Sequence, residues 1–348
     1  MNKLLRTLTL YFAIAFTLST APAQACDVCN LYECSPLQQR TFFGLVYRYR
    51  VLNGYGHLGN THSFTRPGSP FGAMPLQHGL YNPIAYSQHE PDEREGVYAD
   101  KSAQDYETYR SWELRANYTF KQKVNLMVLL PYEHNTVYYR RLATSTTSPF
   151  TDSTMRVKGF GDLTIAADWI HQTQKGAVKH TLRPGIIIKA PTGRYRVQNS
   201  EGQAFDPVIQ PGAGAWAYGL RLNYQWYREG FGFDAGMSYV VNSNGRHGYD
   251  FANSFNISQV FFYQFQKGLW NIIPRAGAYL ESTGNDAYQG VEQQLSGGTS
   301  LFGQLGVDIN RWQHTLQITY QMPLADNLAG NQIGNAGRLA IAFIFSPA

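Results

Sequence analysis

The 348-residue chain has few charged residues, only three cysteines and no long hydrophobic run beyond residue 18. Charged residues make up 15% of the chain, against about 25% in an ordinary soluble protein. A transmembrane helix needs about 20 consecutive apolar residues, so helical spans after residue 18 are excluded. Aromatic residues reach 14% and glycines number 33, which excludes a disordered chain and is typical of a transmembrane β-barrel. A large secreted β-sandwich shares this bulk composition.

The start of the chain has the pattern of a targeting signal. Lys3 and Arg6 form a basic start, residues 8–18 are an apolar stretch too short to span a bilayer comfortably, and Ala25 ends a small-x-small cleavage site. We therefore expect residues 1–25 to be a cleaved Sec signal peptide. Losing its two basic residues lowers the formal net charge from +5 to +3, so no strong basic field favours nucleic acid as a partner.

Apolar and polar residues alternate along most of the remaining chain, which is the period of strands with two different faces. In the clearest example, apolar residues occupy every second position from Trp216 to Trp226. The same pattern runs from Trp112 to Phe120. Aromatic residues lie at both ends of these apolar faces, as the two interfacial girdles of an outer-membrane barrel require. An apolar face that packs inward in a soluble sandwich would not need them.

Twelve segments share this alternation, and the connections between them alternate in length. The segments are 41–52, 105–120, 124–140, 159–171, 178–191, 213–226, 231–242, 251–265, 270–282, 299–309, 312–324 and 336–346. The longer connections are 53–104, 141–158, 192–212, 243–250, 283–298 and 325–335. Bacterial barrels have short periplasmic turns, long extracellular loops and an even strand number. The sequence therefore predicts an all-β, antiparallel, up-and-down transmembrane barrel of about 12 strands over residues 41–348, in the outer membrane of a Gram-negative bacterium.

If the apolar faces contact lipid, the opposite faces line the interior, and thirteen charged side chains are predicted there. They are Arg48, Arg50, Glu113, Arg115, Asp162, Asp168, Arg183, Lys189, Arg221, Asp234, Arg275, Glu281 and Asp308. Charges at membrane depth must face water or one another. Two interpretations stay open: a partly filled lumen braced by ion pairs, or a polar, arginine-rich channel for small anionic or amphipathic solutes. Twelve strands lie between the filled barrels of about 8 and the open barrels of 16–18.

Three glycine-containing motifs mark the ends of consecutive strands. Residues 159–163 read Gly-Phe-Gly-Asp-Leu, residues 189–193 read Lys-Ala-Pro-Thr-Gly, and residues 211–214 read Pro-Gly-Ala-Gly. Glycine permits a tight backbone at a barrel rim, and proline ends ladder pairing where a loop leaves. Over residues 105–348 the motifs resemble the outer-membrane transporter-like family named for the meta-cleavage pathway of phenol degradation. The resemblance implies a barrel and transport, and its name alone implies a link to aromatic compounds.

A cysteine cluster precedes the predicted barrel, in the expected periplasmic segment 26–40. Cys26, Cys29 and Cys34 are the only cysteines in the chain. They are compatible with one disulfide and a leftover thiol, with lipidation of Cys26, or with a soft-metal site for copper or zinc. No other cofactor is indicated by the sequence.

No catalytic arrangement stands out, and we expect a protein that is not an enzyme. Residues 242–245 (Asn-Ser-Asn-Gly) superficially resemble the motif of an outer-membrane phospholipase, but Val241 stands where the histidine should be. The predicted function is passive passage of small amphipathic or aromatic solutes, with membrane lipid and a small-molecule solute as partners. The alternatives are a metal-linked barrel that uses the cysteine cluster, and a structural or adhesive barrel with a blocked lumen. The oligomeric state stays open.

Overall fold

The structure is a computed structural model whose described part is almost entirely β-sheet. It describes residues 41–53, 105–142, 150–329 apart from 201 and 203, and 332–347. Among these residues, no helix has the length and apolar character that crossing a membrane would require. The predicted signal peptide, the cysteine segment 26–40 and nearly all of the first loop, 53–104, lie outside the described residues.

Eighteen strands are found in the described part of the chain. They are β1 (Phe42–Asn53), β2 (Tyr106–Phe120), β3 (Val124–Leu142), β4 (Phe150–Phe160), β5 (Leu163–Trp169), β6 (His171–Lys175), β7 (Val178–Ala190), β8 (Ala217–Arg228), β9 (Phe231–Asn242), β10 (Tyr249–Asp250), β11 (Ser254–Tyr263), β12 (Phe265–Lys267), β13 (Trp270–Thr283), β14 (Ala287–Tyr288), β15 (Val291–Glu292), β16 (Gly298–Arg311), β17 (His314–Leu328) and β18 (Asn335–Phe345).

The main sheet closes on itself. Strand β1 pairs with β2 on one side and with the last strand, β18, on the other, so that Phe43 lies opposite both Ala116 and Phe345. Strands β4, β5 and β6 form one passage across the sheet, and β11 and β12 form another, so the chain makes twelve passages. The predicted twelve-stranded antiparallel barrel is confirmed. Strands β10, β14 and β15 form a separate small sheet.

One predicted loop is wrong. We expected residues 141–158 to be a long connection, but β3 extends to Leu142 and β4 begins at Phe150, with these two residues paired. The alternation in this stretch is reversed: Val157 is buried on the inner face, while its neighbours on the outer face are polar and exposed. Strands were predicted from apolar faces that contact lipid, so a strand with a polar outer face was not recognised.

Large apolar side chains cover the outer face of the barrel. On β8, Tyr218, Leu220 and Leu222 are all exposed, and Leu220 is 68% exposed. Trp216 lies beyond them at the loop end of this strand, and Trp226 lies towards its turn end. Soluble proteins do not expose contiguous apolar patches of this extent, so the band defines a surface that contacts lipid.

Candidate functional site

The connection from β7 to β8 folds into the barrel. Residues 191–216, here called the inward loop, contain a one-turn 3₁₀ helix, Pro207–Ile209. Ile209 is 5% exposed and belongs to an apolar cluster with side chains of the surrounding strands. The wall residues of this cluster that lie on strands are Leu52, Tyr109, Val137, Tyr139 and Val157. The side chain of Asn135 also donates a hydrogen bond to the carbonyl oxygen of Ile209, at 3.0 Å. The inward loop is therefore packed against the inner wall.

Asp162 fastens both ends of the inward loop to the wall. Its Oδ1 accepts a hydrogen bond from the backbone N–H of Gly193 at 2.9 Å, and its Oδ2 accepts one from Ala213 at 2.8 Å. The ammonium of Lys189 lies 4.0 Å from the same Oδ2. The hydroxyl of Thr192 accepts a further bond from the backbone N–H of Leu163, at 2.9 Å. The three sequence motifs thus meet at one point.

Three glycines allow this close approach. A Cβ added to Gly193 would lie 2.7 Å from the carbonyl carbon of Gly161 and 2.8 Å from the Cα of Gly212. A Cβ on Gly161 would lie 2.9 Å from the carbonyl oxygen of Pro211. Because backbone atoms cannot yield like flexible side chains, any larger residue would separate the inward loop from β4 and β5.

All six acidic residues predicted to line the interior lie within ion-pair distance of a basic side chain. The pairs are Arg48–Glu113 (2.9 Å), Arg115–Glu113 (2.6 Å), Arg183–Asp234 (3.4 Å), Lys189–Asp162 (4.0 Å), Arg221–Asp168 (2.5 Å), Arg275–Asp308 (2.8 Å) and Arg338–Glu281. Arg50 lies over the ring of Tyr109, 4.6 Å from its centroid. These contacts hold buried charges in fixed positions, since a buried charge needs a partner.

The sequence analysis missed Arg338 as an interior residue. Its guanidinium binds both carboxylate oxygens of Glu281 and lies 4.1 Å from the ring centroid of Phe302. The signal was present, because Arg338 occupies the polar face of β18, and counting in twos from Ala342 places it inside.

The turn end of the lumen contains a second apolar cluster that the sequence analysis did not expect. Phe42 and Val46 of β1, Met127 and Leu129 of β3, and Ile187 of β7 are buried there. Ala166, Ala342 and Ile344 complete the cluster. Polar lumen walls were assumed throughout the barrel, but in these stretches both faces of the strand are apolar. The inner wall is therefore apolar near the short turns, where β1, β3, β5, β7 and β18 contribute these residues.

Two buried carboxyl groups lie among the loops at the other end. Asp286 directly precedes β14 of the small sheet and accepts hydrogen bonds from the Tyr249 hydroxyl (2.6 Å) and the Ala252 backbone N–H (2.9 Å). Asp206 caps the 3₁₀ helix of the inward loop by accepting from the Val208 N–H at 2.8 Å. Burial, together with repulsion from Asp286, raises the pKa of Asp206 to about 7. Packing of the inward loop therefore favours the protonated form of the Asp206 carboxyl.

A cavity of about 220 Å³ remains between the inward loop and the wall. Residues of β1, β2, β3, β5, β7, β9, β13, β17 and β18 line it, together with Pro207, Val208 and Gln210 of the inward loop. The inner-face side chains Arg48, Arg50, Glu113 and Arg338 line it, with the aromatic residues Tyr109, Phe251 and Tyr279. Of the residues predicted to line the lumen, the structure thus brings Arg48, Arg50, Glu113, Asp162 and Lys189 to one space. The remaining eight lie outside its lining.

The other predicted sites are not assembled in the described part of the chain. Cys26, Cys29 and Cys34 lie outside the described residues, and the copper or zinc site stays a prediction. The described residues contain no group of three or more side chains suited to hold a metal ion. Ser243, from the phospholipase-like stretch, accepts a hydrogen bond from the Trp216 N–H and contacts the Asn244 carbonyl, which is a turn-stabilising role.

A closed barrel of twelve antiparallel passages with an apolar outer band and a polar, ion-paired interior is a β-barrel of the Gram-negative outer membrane. The family model described as "Putative MetA-pathway of phenol degradation" matches residues 113–327. The chain belongs to this family.

One solved structure supports the fold, and a second is a more distant match. A crystal structure of an outer membrane channel from Pseudomonas putida F1 matches with a TM-score of 0.57 and 15% identity, covering 91% of this chain and 98% of that one. A FadL homologue from Pseudomonas aeruginosa matches with a TM-score of 0.35 and 11% identity, over 88% of this chain and 90% of that one. No curated protein sequence is significantly similar to the chain.

Proposed function

We propose that the barrel is a channel for passive passage of small amphipathic or aromatic solutes across the outer membrane. The observation that carries the proposal is the cavity of about 220 Å³ inside a closed barrel, lined by both guanidinium groups and aromatic rings. A purely structural barrel of this size has no need of a polar space at its centre. Ligand sites combine apolar walls with a few convergent polar groups, which is the composition found here.

The inward loop sets the size of what can pass. It lines the cavity and is held by Asp162 at both ends and by Ile209 in the middle. On the turn side, the side chains of the apolar cluster around Met127 and Leu129 are buried in the interior. Apolar constrictions oppose the entry of water and ions. A solute with an apolar ring and a polar group is better suited to this path than a small inorganic ion.

Swelling of liposomes tests the proposal. Full-length protein is reconstituted, and swelling rates are compared in phenylalanine, a small aromatic zwitterion, and in raffinose, a bulky neutral sugar. We expect swelling with phenylalanine and almost none with raffinose. Ile209→Asn, which places a polar group in the apolar contact of the inward loop, should raise both rates. Val291→Asn, at an exposed position, should change neither. If neither solute enters through wild-type protein or Ile209→Asn, the barrel is not a channel.

A further inference from the structure

Three arginines at neighbouring positions of two paired strands line the cavity. Arg50 of β1 and Arg338 of β18 are directly paired across the two strands, and Arg48 lies two residues from Arg50 on the same face. All three line the cavity. Like charges directly opposite one another destabilise a strand pair, and the cost grows where water is scarce. An ordinary barrel wall gains nothing from this arrangement.

Wall residues hold the three guanidinium groups in place. The carboxylate of Glu113 forms ion pairs with Arg48 at 2.9 Å and with Arg115 at 2.6 Å. Glu281 binds Arg338 through both oxygens, and the ring of Tyr109 lies under Arg50. The guanidinium groups are therefore positioned before any ligand arrives. Preorganised donors of this kind bind carboxylates with two parallel hydrogen bonds.

The lining of the cavity has an excess of basic side chains, which is smaller once Glu281, the partner of Arg338, is counted. Basic side chains outnumber acidic ones in its lining, where the acidic ones are Glu113, Glu133 and Asp162. Both oxygens of Asp162 already accept backbone hydrogen bonds, and Glu113 serves two arginines. An added carboxylate would offset the repulsion between Arg50 and Arg338.

The size and the aromatic lining narrow the ligand further. An apolar cavity of about 150 Å³ accommodates one benzene molecule. The cavity here, at about 220 Å³, matches one ring with a small substituent more closely than two fused rings. Tyr109, Phe251 and Tyr279 in its lining provide surfaces for offset or edge-to-face packing against a ring.

We propose that this cavity is a binding site for monocyclic aromatic carboxylates, with Arg48, Arg50 and Arg338 holding the carboxylate. The inference deepens the channel function, since it names the solute class that the channel would select. No covalent step is involved.

Titration calorimetry with full-length protein in detergent tests the site. Benzoate is the probe, and three comparisons separate the contributions: acetate lacks the ring, benzyl alcohol lacks the charge, and 2-naphthoate has a second ring. We expect benzoate to bind and each comparison compound to bind about tenfold more weakly or not at all. Equal binding of acetate would reduce the site to a general anion site and overturn the aromatic part of the proposal.

Arg50→Gln is the deciding variant. It removes one of two opposed charges and leaves the pairs of Glu281 and Glu113 in place. It also removes the attraction of Arg50 for the buried carboxyl of Glu107, so the unfolding temperature is measured beside the affinity to show that the variant is folded. Its benzoate affinity should fall about tenfold, the loss expected for one charge-assisted hydrogen bond. Arg228→Gln, on the exposed turn, is the matched control and should bind as wild type does. Unchanged benzoate binding in a folded Arg50→Gln protein would overturn the proposal.

The same samples distinguish this proposal from the channel function. Liposomes that swell in phenylalanine while the protein does not bind benzoate would overturn the binding site and leave the channel. Benzoate binding without passage of any solute would overturn the channel and leave the binding site.

Discussion

The carboxylate of Asp162 accepts a hydrogen bond from the backbone N–H of Gly193, 2.9 Å away across the mouth of a hairpin. The same carboxylate accepts a second bond from Ala213, twenty residues further along the chain. One side chain on the wall therefore holds both ends of the inward loop. The family's glycine-containing motifs, which looked like separate rim features in the sequence, act together to place this loop.

Replacing Asp162 should release the inward loop. Asp162→Ala removes both acceptors and leaves two backbone N–H groups without a partner, at a cost of about 1–3 kcal/mol for each group that stays buried. We expect faster trypsin cleavage at Arg194 and Arg196 and a higher single-channel conductance in planar bilayers. Asp162→Asn keeps one oxygen acceptor and should give an intermediate effect.

Glu229→Ala is the control for Asp162→Ala, because Glu229 is exposed in a short turn at the opposite end of the barrel. It should leave cleavage and conductance unchanged. Wild-type cleavage rates and conductance in Asp162→Ala would mean that the other contacts of the inward loop, those of Ile209 and Thr192, are enough to hold it.

Gly185 makes room for an interior ion pair. A Cβ at this position would lie 2.0 Å from Oδ1 of Asp168 and 2.6 Å from the Ala167 carbonyl oxygen. Gly185→Ala should push Asp168 away from Arg221 and destabilise the barrel by about 1–3 kcal/mol, the usual cost of overpacking. Urea unfolding in detergent, followed by tryptophan fluorescence, measures the loss.

Gly303→Ala is the matched control for Gly185→Ala. It lies on β16, where the atoms nearest to an added Cβ are those of the Leu324 side chain, at ordinary contact distances from 3.4 Å. Its unfolding midpoint should be within error of wild type. Equal midpoints for the two alanine variants would show that the Arg221–Asp168 pair can move without cost.

Alternation predicted the strands whose two faces meet different surroundings. The segment predicted at 213–226 is observed as Ala217–Arg228. It could be predicted because its outer face contacts lipid and its inner face carries residues of ion pairs. The method failed where that contrast is lost or reversed. Val157 points inward from a strand with a polar outer face, and Met127 points inward from a strand that is apolar on both faces. The first strand has no apolar outer face, and the second has no polar face.

The inward loop could not be predicted from its own residues. Its sequence has no period, so residues 192–212 read as an ordinary surface connection. What draws it inside is a set of contacts with partners far away in the chain, such as Ile209 with Val137 and Asp162 with Ala213. Alternation could predict, residue by residue, that most of the interior charges face the lumen. It could not predict which of them line the same cavity, because that depends on how the barrel closes.

The outer band should tolerate no charge at membrane depth. Leu220 is 68% exposed in the middle of the apolar face of β8, and Leu269 is 61% exposed in a turn between β12 and β13. Leu220→Arg should destabilise the protein in lipid vesicles by about 2–4 kcal/mol, whereas Leu269→Arg should cost about 0–1 kcal/mol. Urea titrations in vesicles of matched lipid composition measure both. Equal costs would mean that Leu220 and Leu269 lie at the same depth in the membrane. The aromatic residues that flank Leu220 would then not mark the membrane boundary.

The last prediction concerns the proton on Asp206. Its pKa is raised from 3.8 to about 7, so the packed inward loop favours the neutral carboxyl. A raised folded-state pKa means that this stabilisation is complete below about pH 3.8, is lost progressively as the pH rises to about 7, and changes little above that. Conductance in planar bilayers should therefore increase from about pH 4 to about pH 7.5, as the ionised carboxylate and its neighbour Asp286 repel each other.

Asp206→Asn isolates the cause of this pH dependence. The amide oxygen can still accept the hydrogen bond from the Val208 N–H, so the cap of the 3₁₀ helix is kept. The side chain no longer ionises, and conductance should stay at its low value across the same pH range. Asp250→Asn, at an acidic position that accepts a bond from the Gly245 N–H in the neighbouring loop, should keep the wild-type response. A pH response that persists in Asp206→Asn would assign the effect to another group and leave the inward loop insensitive to this proton.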